Sequence, residues 1–131
     1  MNESDNAFEK VAFPIIRPAT RADIEAFSDM PGKPTIKAIV GDLDGRIIGI
    51  GGVALIAGRW IAFCDLTPDA RKYKMTLARA AIRFIRDLKE QGVKFIYAEA
   101  DTKNEPRAVE WIRSLGFELD PRSGINYRWK A

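Results

Sequence analysis

Histidine, the side chain that most often moves protons or binds transition metals near neutral pH, is missing from this sequence. Without it the Ser-His and Cys-His pairs that usually activate a nucleophile are excluded. A general base must then be a carboxylate, a perturbed lysine or tyrosine, or a chain of waters. The single cysteine, Cys64, cannot close an internal disulfide, and with no histidine beside it a structural zinc set is excluded. Its place inside the apolar run Trp60-Ile61-Ala62-Phe63-Cys64 reads as a buried packing residue, not a nucleophile. Charge is the more informative signal. Arg71, Lys72, Lys74, Arg79, Arg83, Arg86 and Lys89 fall in one segment of a chain whose net charge is +3, a balance compatible with anionic small molecules, nucleic acid or no particular partner. Spacings of four and three put Arg79, Arg83 and Arg86 on one helix face. Such a face is usually solvated surface, however, and no stacking aromatics interleave with it, so the pattern reads against nucleic acid.

Positioning these residues falls to a chain of 131 residues, 47% hydrophobic and 30% charged, which is ordinary for one soluble domain. A polar extension over residues 1–12 and a single domain over 13–131 are expected. No apolar run approaches the roughly 20 residues needed to cross a bilayer. The opening Met1-Asn2-Glu3-Ser4-Asp5-Asn6 is polar and acidic, unlike a secretory signal, so the reading is a cytoplasmic chain that does not span a membrane.

Element signals follow one another along the chain. Residues 13–17 read as a first strand, and Thr20 with Asp23 three residues on supplies an N-cap and a first-turn negative charge for a short helix over 21–28. Pro31-Gly32-Lys33-Pro34 ends it. β-branched residues over 35–40, the turn Asp42-Leu43-Asp44-Gly45 and a returning strand over 46–55 predict a hairpin. The Gly49-Ile50-Gly51-Gly52 stretch is unusual in a strand and marks a bulge or close strand packing, or else close approach of a ligand. A turn at Ala57-Gly58 leads to a third antiparallel strand over 59–66. Thr67 or Asp69 can cap the longest helix, in which Leu77, Ala80, Ala81, Phe84, Ile85 and Leu88 form the apolar stripe and which ends near Gln91-Gly92. A strand over 93–99, a helix from Glu105-Pro106 stopped by Gly116, and strands over 117–119 and 125–129 complete the chain. Trp60, Tyr127 and Trp129 are candidates for exposed aromatics, although three aromatics on strands are more often core or sheet-face packing. The fold class is α/β with a mixed sheet, in the order β-α-β-β-β-α-β-α-β-β.

That order resembles the GNAT acyltransferase fold from residue 13 to the C-terminus, with a compressed first helical region. The most specific local match is Arg107-Ala108-Val109-Glu110-Trp111-Ile112-Arg113-Ser114-Leu115-Gly116-Phe117, similar to the family's late helix and its Leu-Gly-Phe exit, with Asn104 near the asparagine that usually opens it. Asp65-Leu66-Thr67-Pro68-Asp69-Ala70-Arg71 resembles the passage into the family's cofactor loop. The resemblance implies acetyl-coenzyme A lying where two parallel strands splay, here between the strand ending at Leu66 and the one ending at Glu99. The pantetheine would pair with backbone at Cys64 and Leu66. The pyrophosphate would meet helix amides at Arg71, Lys72, Tyr73, Lys74, Met75 and Thr76.

Two stretches depart from the family pattern. The small residues that let backbone approach the phosphates are replaced by Lys74 and Thr76, leaving lysine charge as the substitute. Ile112 stands where many members place a tyrosine general acid, and the indole N–H of Trp111 is too weak an acid to take that role. The family's base often comes from the middle strand, where Asp65 is the nearest carboxylate; the alternative for Asp65 is a strand-end residue bonded to the next loop. Only residues 18–34 separate the first two strands, so the acceptor side should be open, which suits a protein side chain, an oligomer contact or no acceptor.

The resemblance therefore implies an acetyl-CoA-dependent N-acyltransferase acting on an amine of an exposed or macromolecular acceptor, with Asp65 or water taking the proton and backbone N–H near Leu66 polarising the carbonyl. The alternative is a GNAT-like module that has lost catalysis and serves binding or assembly, as in a phage or prophage-like particle. The glycine-rich hairpin and the C-terminal strands could pair between subunits of a homo-oligomer.

Overall fold

Two tight turns set the middle of the sheet. Asp44 and Gly45 take φ of 52° and 84°, and Ala57 and Gly58 take 50° and 79°. Left-handed geometry at both central positions gives a turn whose twist matches the strands that it joins. In the computed structural model, which describes residues 13–27, 34–99, 108–120 and 126–130, these turns link β2 (Thr35–Leu43), β3 (Arg46–Ile56) and β4 (Arg59–Leu66) into an antiparallel meander. Before it come β1 (Ile15–Pro18) and α1 (Arg21–Phe27). After it come a 3-10 segment (Pro68–Tyr73), α2 (Lys74–Glu90), β5 (Phe95–Glu99), α3 (Ala108–Ser114), β6 (Glu118–Leu119) and β7 (Asn126–Lys130). The sheet order is β1-β2-β3-β4-β5-β7-β6, and β4 with β5 is its parallel neighbour pair.

The element order is the one expected, with local corrections. β1 starts at Ile15 and reaches Pro18, a residue tolerated because this is an edge strand. The helix cap read from Thr20 and Asp23 is a reciprocal pair: the Thr20 N–H donates to Asp23 Oδ2 at 2.9 Å, and the Asp23 N–H donates to Thr20 Oγ1 at 3.2 Å. Neither Thr67 nor Asp69 caps the long helix, because the Thr67 hydroxyl donates to the Ile48 carbonyl at 3.1 Å and Asp69 pairs with Arg46. The expected helix end at Ser28, the helix start at Glu105-Pro106 and the strand start at Ile125 lie outside the described residues.

The glycine run resolves into strand packing. Gly41 pairs with Gly49 but Asp42 with Ile47, so Ile48 is an extra bulged residue, fully buried, whose carbonyl also accepts the Thr67 N–H at 2.9 Å. At Gly52 any Cβ would overlap the Lys37 carbonyl and the Ala38 backbone, and at Gly49 it would fall 2.7 Å from the Leu66 side chain.

Crossovers β4–α2–β5 and β5–α3–β6 advance the same way along the sheet, so right-handed connections put α2 and α3 on one face. The core lies beneath them: Val53, Ile85, Leu88, Val93, Ile96, Ala98 and Phe117 are buried, with Ala62, Phe84, Val109, Ile112 and Leu115 packed against them. Of the three candidate exposed aromatics, Trp60 and Trp129 pack against this cluster, the alternative read for them; the Tyr127 side chain is outside those described. Both helices end in 6→1 hydrogen bonds across a left-handed glycine, Val93 N–H to Leu88 carbonyl past Gly92 and Phe117 N–H to Ile112 carbonyl past Gly116.

Candidate functional site

A sheet needs a reason to come apart, and here it does so between β4 and β5. Their register holds one residue pair, Ile61 with Tyr97, although both strands run on, to Leu66 and to Glu99. On its other side β4 stays paired with β3 as far as Leu66 with Gly49. Cys64, Asp65 and Leu66 are consequently exposed at the end of an interior strand. The carbonyls of Asp65 and Phe63 lie 3.7 Å from the Cβ positions built on Gly49 and Gly51, and Thr67 N–H bonds to Ile48 of β3. Main-chain groups alternate sides along a strand. Those of Cys64 and Leu66 therefore face the gap.

Side chains alternate too, across the sheet. Cys64 points to the face that carries α2 and α3, where it meets Trp111 of α3. Exposed as a residue, it nevertheless has its thiol pushed up to about 11, first by burial of the sulfur, then by the adjacent Asp65 charge, with a hydrogen bond from Trp111 acting the other way. The thiol is neutral near pH 7. The expectation of a buried cysteine is corrected in part: the residue stands at an opening in the sheet, while its sulfur is enclosed. Asp65 points to the opposite face, beside Ile50. Ile112, at the position of the expected tyrosine, is half-buried against the core. Trp111 as a wall of this gap was not read from the sequence, where its indole was weighed as an acid and set aside. Its place four residues before Leu115 was the available signal.

The basic segment follows directly. Arg46 anchors Asp69, and the Ala70 N–H closes onto the Thr67 carbonyl at 3.0 Å, so the chain winds into the 3-10 turn at once. That turn runs into α2 without a break: the Lys74 N–H donates to the Arg71 carbonyl, and Tyr73 at the helix start makes no side-chain cap. One of the amides expected to meet a pyrophosphate is thus already used. What remains exposed is side chain: Arg71, Lys72, Lys74 and Met75. Tyr73 packs edge-on against Phe13, with ring centres 6.5 Å apart. Thr76 is not gathered with them; it lines a groove on the flank of α2 towards β1 and β2. Asn104 lies outside the described residues.

No family model matches the sequence, and no curated protein matches it. Solved structures do match. A GNAT-family acetyltransferase from Staphylococcus aureus Mu50 superposes with a TM-score of 0.65 at 13% identity, over 89% of this chain and 98% of that one. The ribosomal-protein-S18-alanine N-acetyltransferase from Escherichia coli gives 0.64 at 15%, over 89% and 93%. A domain from Methanocaldococcus jannaschii gives 0.63 at 16%, over 92% and 99%. At such identities the likeness speaks for the backbone, and the backbone is that of the GNAT acetyltransferases: a mixed α/β architecture with a seven-stranded sheet.

Proposed function

We propose that the chain is an acetyl-CoA-dependent N-acyltransferase acting on an amine of an exposed or macromolecular acceptor, with residues 13–131 as its domain and 1–12 as an extension. The observation that carries this reading is the parting of β4 from β5, which leaves the main-chain groups of Cys64 and Leu66 without a strand partner among the described residues. A pantetheine arm, with its two amides, fits that vacancy in the hydrogen-bond ladder. At the phosphate end the fit is by side-chain charge: Arg71, Lys72 and Lys74 would hold the pyrophosphate, in place of backbone that the 3-10 turn has partly consumed. When bound, the coenzyme supplies an acyl group activated as a thioester. Asp65, exposed on the opposite face from Cys64, accepts the proton of the incoming amine directly or through water. The Leu66 main-chain N–H, aimed into the gap, donates to the acyl oxygen. Trp111 and Cys64 close the gap from the helical side, and Ile112 leaves departure of the thiol to solvent protonation.

Calorimetric titration with acetyl-CoA, beside Lys74→Glu, tests the binding half. Micromolar affinity that the variant loses supports phosphate capture by these cations, whereas no heat at millimolar coenzyme removes the proposal. For turnover, Asp65→Asn should lower kcat by about 10²-fold or more with coenzyme affinity unchanged. A second reading is a non-catalytic binding or assembly module. It is favoured by the Lys74 amide being spent on Arg71 and by Ile112 packing against the core where an acid would be needed. Tight coenzyme binding with no acyl transfer to any amine offered would select it.

A further inference from the structure

The groove on the other flank of α2 takes no part in the proposed chemistry. It encloses about 680 Å³ and is walled on one side by Thr76, Arg79, Ala80, Arg83, Phe84 and their continuation to Gln91, a single stripe at helical spacing. The opposite wall is Ile16, Ala19 and the β2 residues 36–39. Arg79 and Arg83 are exposed, one turn apart, and neither forms an ion pair among the described residues. Lys37 crosses from β2 to Gln91, donating to its side-chain carbonyl at 3.0 Å, and closes one end. Asp87 is the one carboxylate among the described lining residues, so the groove keeps net positive charge above an apolar floor of Ile16, Ile39, Ala80 and Phe84. The sheet edge beside it is also unfinished: β1 covers β2 only over residues 39–42, and among the described residues no strand pairs with 35–37 on that side.

From this we infer that the groove docks an extended peptide segment of a partner protein in which acidic and apolar side chains alternate. Apolar residues would enter the floor, and carboxylates would meet Arg79 and Arg83 along its rim as charge-assisted pairs. Length agrees, since the helix wall from 76 to 91 measures about 22 Å, the span of roughly six or seven extended residues. A small ligand is a poorer match because the groove is open along its length, and small-molecule sites enclose most of their ligand. Single-stranded nucleic acid would want exposed ring faces for stacking. Phe84, the one aromatic among its described lining residues, is half-buried against the core.

Fluorescence anisotropy with the labelled hexapeptide Glu-Ile-Glu-Val-Asp-Ile and the full chain tests this. We expect micromolar binding, weakened at least tenfold in Arg79→Glu/Arg83→Glu and also in Ala80→Phe, which fills the floor but leaves both cations. The charge-swapped peptide Lys-Ile-Lys-Val-Lys-Ile should not bind. Equal binding of that peptide, no effect of Ala80→Phe in a variant of native circular dichroism, or tighter binding of a hexanucleotide would each overturn the proposal. Neither substitution touches the β4–β5 gap, so coenzyme titration of the same variants separates failure here from failure of the acyltransferase reading.

Discussion

Arg17 gathers two carboxylates, Asp23 at 2.8 Å and Asp42 at 3.2 Å, and so ties α1 to the edge of the sheet. Its bond to Asp23, together with the Thr20 amide and hydroxyl, holds the Asp23 carboxyl down at about 2. A carboxyl depressed in the folded state contributes stability that is complete above its unfolded value, near 3.8, and is lost as pH falls through about 2. Asp23→Asn should therefore flatten the acid limb: between pH 4 and 2 its urea midpoint should fall less steeply than that of the parent chain. Parallel curves would mean that Arg17 is held by Asp42 alone. Cys64 titrates at the other extreme. With its thiol near 11, the thiolate fraction grows about tenfold per pH unit up to that value. Iodoacetamide labelling between pH 7.5 and 10 should climb accordingly without levelling off. A plateau near pH 8.5 would show a thiol free of both burial and the Asp65 charge.

At the scale of elements, what could be read from the sequence was whatever chemistry is local. The Thr20–Asp23 cap, the turns at Asp44-Gly45 and Ala57-Gly58, and the glycine exits at Gly92 and Gly116 each depend on residues within a few positions, and each is present. What escaped was set by partners far along the chain. Thr67 fails as a helix cap because its hydroxyl is turned to Ile48, nineteen residues back along the chain. Gly52 is of this second kind, since the obstacle to a side chain there is β2 backbone. Gly52→Ala should cost about 3 kcal/mol in urea unfolding, the upper range for overpacking against atoms that cannot swing away. Gly45→Ala has open space around it and only a positive φ to strain, so about 1 kcal/mol is expected. Similar losses for both would mean that β2 yields at Lys37.

For the whole molecule, the parting of the sheet is the feature on which the proposed function rests, and its location between β4 and β5 was legible only through family resemblance. Composition and periodicity announce strands and say nothing about where two of them diverge. Which groups the gap offers follows from alternation once β3 is known to hold Thr67 and the Asp65 carbonyl. Amide exchange can read this directly. Cys64 and Leu66 should exchange on the order of a hundredfold faster than Val53 and Ile96 in the core, because their N–H groups face an unpaired edge instead of a ladder. Saturating acetyl-CoA should slow these two and leave the core amides unchanged. Equal protection in the free chain would mean that β4 and β5 pair to their ends. Fast exchange that the coenzyme does not slow would leave the gap in place but take away the ligand proposed to fill it.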